Sequence, residues 1–193
     1  MKREKIFKKA CKGNSIQIIN NTYPDRNGEL HTRNQWVTVG GGAAAFVIDF
    51  PRTLSENEIL YLAGVPSEKV CEGFVRFLDS AEVGIDLSDS SNSDVWLDRC
   101  NFTINGKYTL FKSTNGAPIN KSLFLNEENL ALIDDEKDVE FFLREYDGES
   151  PCVIAKNGFM AIAVFLPFKF TKDGEQVLAD NAFTAYKVIN AEV

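Results

Sequence analysis

The chain predicts an α+β fold in which antiparallel sheets carry a few short helices. Three observations lead there. Asn-Gly dipeptides separate alternating apolar segments at Asn105-Gly106 and Asn157-Gly158, the strongest short-range hairpin signal. Ser55 is followed three residues later by Glu58 at the head of an apolar run, which marks a helix start. Helix-period and strand-period segments follow one another without the regular β-α alternation that builds a parallel sheet.

The first element is a short helix over residues 3–12. Ile6, Phe7, Ala10 and Cys11 form its apolar stripe, and Lys5, Lys8, Lys9 and Lys12 fall on the opposite side. Gly13 and Asn14 stop it, and Ser15 to Asn20 alternates as a strand. Residues 21–34 read as a polar excursion. Gln35–Val39 and Ala43–Ile48 then form a hairpin about Gly40-Gly41-Gly42. A P-loop would need Lys and Ser/Thr straight after the glycines at a helix start; here a strand follows. The Ser55 helix ends at Gly64 before Pro66. Residues 67–79 fit either period, with Gly73 weakening a long helix.

Asp86 to Asp94 is an acidic, serine-rich stretch that reads as a solvated loop. It lacks the central Gly and terminal Glu of an EF-hand loop. Strands dominate afterwards: Cys100–Ile104 and Lys107–Phe111 about Asn105-Gly106, then Val139–Tyr146, then Val153–Lys156 and Phe159–Phe165 about Asn157-Gly158. Asn115-Gly116 and Asp147-Gly148 mark further turns, and Asn126 caps a short helix whose first turn holds Glu127 and Glu128. Residues 1–66 are thus a helix-hairpin-helix half, 67–170 a β-rich half and 171–193 a C-terminal tail.

Composition narrows the chemistry. The single histidine, His31, sits in a polar stretch, so two-histidine metal sites cannot be built within one chain. The four cysteines contain no CxxC pair and read as reduced, small buried hydrophobes. No nucleophile and base fall into a catalytic motif, so neither an enzyme nor a cofactor is expected. Trp36, Trp96 and the phenylalanines lie in apolar strands without interleaved basic residues, which points to packing. No apolar run is long enough to span a bilayer, and the start, Met1-Lys2-Arg3-Glu4-Lys5, has no hydrophobic segment behind it. A cytoplasmic chain without a membrane partner is the expectation.

Charge is unevenly placed. Residues 1–12 carry six Lys/Arg and one Glu while the whole chain is at −7, so an acidic body bears one basic helix. Its lysines serve solubility or meet phosphates.

Two resemblances follow from particular segments. Asn126–Ile133, Val139–Arg144, Ser150–Ile154 and Ala161–Lys169 together resemble the end of a DNA sliding-clamp domain, with a short helix before a strand, a Pro-hydrophobic strand and a final strand ending in proline. That resemblance implies a clamp-like architecture whose basic helix faces meet DNA while the sheets form an outer shell and join subunits edge to edge. On it, Lys5, Lys8, Lys9 and Lys12 are the nucleic-acid-binding residues, double-stranded DNA or a replication protein is the partner, and a homo-oligomer is expected. The helices at 55–64 and 126–133 depart from the pattern in being acidic. Phe7–Gly13, Gln35–Val37, Gly42–Phe46 and Phe142–Glu145 are similar to small proteins of phages and mobile elements of Gram-positive anaerobes. The competing expectation is an interaction module or inhibitor that binds a host protein through its acidic surface.

Overall fold

The computed structural model describes residues 3–11, 15–113, 122–145 and 151–168. Its elements, in chain order, are α1 (Arg3–Ala10), β1 (Ile16–Pro24), β2 (Leu30–Val39), β3 (Ala44–Ile48), α2 (Glu56–Ala63), β4 (Val75–Asp79), α3 (Ser80–Val83), β5 (Val95–Ile104), β6 (Tyr108–Ser113), β7 (Ser122–Asn126), α4 (Glu127–Leu130), β8 (Val139–Arg144), β9 (Cys152–Asn157) and β10 (Met160–Phe165). The ten strands form one sheet in the order β4-β1-β2-β3-β10-β9-β8-β5-β6-β7. The mixed α+β class is as expected. The antiparallel pattern has an exception at one edge, where β4 lies parallel to β1 after the crossover through α2.

Period-two alternation sorts the strand residues onto two faces. On the inner face Ile18, Val37, Phe46, Phe111, Phe141 and Phe165 join one core with Ile6 and Phe7 of α1, Ile59 of α2 and Leu130 of α4. On the outer face Ile19, Trp36, Ile154 and Val164 pack beneath Leu87 from the segment between α3 and β5. A smaller outer cluster, Cys100, Leu110 and Phe124, lies on β5–β7. Strands from opposite ends of the order share the inner core, and the chain leaving β10 reaches both Ala43, through Leu166 N–H (2.9 Å), and Phe124 of β7, through Phe168 N–H (2.8 Å). The sheet is therefore curled around its helices. Two pairings, β1 with β4 and β3 with β10, cross the expected boundary at residue 66.

Local chemistry explains most elements. Ser55 N–H donates to Glu58 Oε2 at 2.9 Å, closing the front of α2. At its other end Gly64 adopts φ 65°, with Gly64 N–H on Tyr61 O and Val65 N–H on Leu60 O, the paired bonds of a Schellman ending. Asn126 Oδ1 accepts from Glu128 N–H at 2.8 Å and starts α4. Asn105 (φ 53°) and Gly106 (φ 62°) both take the left-handed region, as a type I′ turn demands.

Three expectations are corrected and one open reading is resolved. The polar excursion over 21–34 is mostly strand: β1 runs to Pro24 and β2 begins at Leu30, because cross-strand pairing of polar residues such as Asn21 with Asn34 and Thr22 with Thr32 carries the ladder past the apolar segment. Residues 67–79 resolve into a 3-10 turn (Ser67–Lys69) and β4, separated by Gly73 at φ 72°. The second Asn-Gly turn is shifted by one residue: Asn157 pairs with Met160, so Gly158 and Phe159 form the loop and only Gly158 has positive φ. Cys71 is exposed and Cys11 half-buried, so only Cys100 and Cys152 are the buried hydrophobes expected; all four are free thiols. The turns at Asn115-Gly116 and Asp147-Gly148, the end of the Val139–Tyr146 strand and the tail 171–193 lie outside the described residues.

Candidate functional site

The basic face of α1 is divided by the fold. Lys5 and Lys8 are exposed, whereas Lys9 is half-buried and donates to Glu128 O (2.5 Å) and Asn129 Oδ1 (2.8 Å) of α4. Its ammonium thus clips α1 to the far side of the curled sheet. Lys12 lies outside the described residues. A cleft of about 420 Å³ runs from Lys9 to Gly40-Gly41-Gly42, whose φ values of 62°, 69° and 88° only glycine adopts at low cost. Its one described cation is already bonded within the fold.

His31 stands on β2 at the tip of the β1–β2 hairpin. Among the described residues, Asp25, Glu29 and His31 have ligand atoms within 4.8 Å of one another and could hold a metal ion. The turn itself accounts for the arrangement: Asp25 Oδ1 accepts from Asn27 N–H (2.8 Å) and Glu29 N–H (2.9 Å), and Oδ2 faces His31 Nε2 at 3.4 Å. The Glu29 N–H first, then the other turn donors, hold the Asp25 carboxyl below its usual range.

The acidic loop is where the sequence reading fails most. Asp94 is not solvated. Arg144, at 0% exposure, donates through Nε to Asp94 Oδ1 (2.7 Å) and through Nη2 to Oδ2 (2.9 Å), a bidentate pair. Its Nη1 donates to the carbonyls of Asp86 and Ser88, both at 2.8 Å. Lys156 Nζ adds a bond to Asp94 Oδ2 at 2.7 Å and lies 4.5 Å from the Phe142 ring centroid. Burial pushes the Asp94 pKa up, but the hydrogen bonds from Arg144 and Lys156 prevail and leave it below the ordinary value. The loop is thereby pinned over the outer face, with Asp89 bonding Arg33 (3.0 Å) and Ala161 N–H (3.1 Å).

Beside this anchor is a groove of about 360 Å³ between β5, β8 and the segment after α4. Trp96 forms one side, 46% exposed, its ring meeting Phe142 edge-on at 5.5 Å. Asp98, Asp134, Glu136 and Glu140 supply four carboxylates to the lining, against the one guanidinium of Arg99. That guanidinium is itself tied back, to Glu127 (3.3 Å) and Asp134 (3.4 Å). The groove therefore combines an aromatic wall with negative charge. Sequence reading assigned Trp96 to packing because its strand neighbours are apolar; the register that turns it outward opposite Phe142 is a long-range pairing.

No helix among the described residues is long and apolar enough to cross a membrane. Comparison with protein-family models, with curated proteins and with solved structures yields no match.

Proposed function

We propose that the chain is a non-enzymatic binding protein that engages a protein partner through its acidic surface. The observation that carries this reading is the groove beside Trp96, where an exposed aromatic side chain adjoins carboxylates that outnumber the local cations. Such a surface attracts a basic partner at long range and offers an apolar contact at short range. The polar clusters elsewhere support it, because the Arg144–Asp94–Lys156 anchor and the Asp25 turn are spent on internal bonds.

A second reading keeps the clamp-like architecture, with duplex DNA or a replication protein as partner and assembly through sheet edges. The exposure of Lys5 and Lys8 on one helix favours it. Surface plasmon resonance against an immobilised arginine-containing peptide and an immobilised DNA duplex separates the two. The first reading requires peptide binding that weakens as salt rises. Binding to the duplex alone, abolished by the double substitution Lys5→Glu/Lys8→Glu, would put the second reading in its place, and binding to neither would overturn both.

A further inference from the structure

We propose that the Trp96 groove is an arginine-docking site, in which a guanidinium group of a partner protein lies against the Trp96 indole and bridges the carboxylates of Asp98 and Glu140. This inference rests on the acidic-surface reading and specifies its contact point and partner chemistry.

The strand register builds the site. β5 and β8 pair antiparallel with Trp96 opposite Phe142 and Leu97 opposite Phe141. The pairing ends there, and the next residues, Asp98 and Glu140, lie by alternation on the face that carries Trp96 and Phe142, where both acids line the groove. Like charges placed across adjacent strands disfavour the sheet, and a cation between them removes that penalty. The neighbouring strands offer partial relief only. Lys112 is the register partner of Asp98 on β6, and Lys156 is the register partner of Glu140 on β9. Lys156 is drawn away to Asp94 at 2.7 Å, with its side chain under Phe142. Among the described residues neither Asp98 nor Glu140 forms an ion pair, while Arg99 in the same groove is held by Glu127 and Asp134.

The aromatic wall favours a guanidinium over an ammonium. Phe142 meets Trp96 edge-on and takes the Lys156 ammonium near its own ring, so the Trp96 ring is held in place while nearly half exposed. A planar guanidinium stacks on such a ring and still directs its fork of donors toward two carboxylates. A compact ammonium gains the charge but not the stacking. The volume of about 360 Å³ is near the lower end of the range of about 300–1,000 Å³ typical of ligand pockets, in keeping with one inserted side chain rather than a whole domain.

The chain contains two indoles, Trp36, fully buried, and Trp96, which makes the test direct. Nitrogen-15-labelled protein is titrated with a short capped peptide containing two arginines, and with versions carrying lysine or glutamine at those positions, while the two indole N–H resonances are followed. The Trp96 resonance is expected to shift saturably with the arginine peptide, about fivefold more weakly with lysine, and not with glutamine; Trp36 stays in place. Asp98→Asn with Glu140→Gln is expected to weaken arginine-peptide binding by about tenfold, and each single substitution by less. Asp98 is exposed, Glu140 half-buried, and the substitutions are isosteric, so an unchanged Trp36 resonance certifies the fold. If backbone amides elsewhere shift while Trp96 does not, the groove proposal falls and the acidic-surface reading stands. If no resonance shifts, both fall. A Trp96 shift that persists undiminished in the double variant also overturns the assignment of Asp98 and Glu140.

Discussion

Asp94→Ala should be among the most damaging single substitutions in this chain. Among the described residues Asp94 is the only carboxylate that bonds both Arg144, at 0% exposure, and Lys156, whose side chain is 10% exposed. Removing it leaves two cations in a poorly hydrated place, with the Asp86 carboxylate 3.7 Å from Arg144 as the remaining counter-charge. Breaking a buried ion pair in this way costs about 3–5 kcal/mol, since the stranded charge keeps its desolvation penalty and loses its attraction. Arg144→Met should cost less, about 2 kcal/mol, because Asp94, though it loses the two Arg144 donors along with the Asp86 and Ser88 carbonyls, retains Lys156 at 2.7 Å as a counter-charge and no cation is stranded. Urea unfolding reads both values. Trp36 packs in the same cluster as Leu87 of the pinned loop, so its emission, isolated in a Trp96→Phe background, reports loop release as well as global unfolding. For a chain of this length the loss in Asp94→Ala corresponds to a melting temperature lower by about 6–20 °C. A loss below about 1 kcal/mol, the range of an exposed pair, would refute the buried-anchor reasoning, as would Arg144→Met costing more than Asp94→Ala.

Acid should weaken the fold in a defined window. Glu58 is pushed down to about 2 from 4.5, chiefly by the Arg52 side chain and then by Ser55, and Asp94 is also lowered; both therefore stabilise the fold above their ordinary values and lose that contribution as pH falls through the lowered ones. Melting temperature should decline as pH is taken from about 5 toward about 2, and Glu58→Gln should flatten part of the slope; a curve that is flat there contradicts the assignments. Thiol titration should find Cys71 fast, since it is exposed, and Cys152 silent until unfolding, since burial raises its pKa to about 11; equal rates at both positions would contradict their placement. Gly106→Ala has open space around the new methyl group, so its cost should be the left-handed backbone alone, about 1 kcal/mol by urea unfolding; no loss would mean that the Asn105-Gly106 turn is not formed as described.

The local elements of this protein were readable from residue order because their causes are local. The Ser55/Glu58 cap, the Gly64 ending, the Asn126 cap and the Asn105-Gly106 turn are each decided by side chains and backbone within a few positions, and each occurs where the sequence places it. Sheet order, the parallel β4 edge and the curling that brings α1 to α4 depend on pairings between segments far apart in the chain, which period and propensity do not encode. The same division separates the two surfaces at issue. Helical spacing identified Lys5, Lys8, Lys9 and Lys12 as a face, but only the docking of α4 against α1 turned Lys9 into a structural clip. Composition likewise saw an acidic loop and a tryptophan in an apolar strand. The pairing of Asp94 with the buried Arg144, and the exposure of Trp96 beside Asp98 and Glu140, were decided by tertiary placement, because a side chain's surroundings are set by which segment lies next to it.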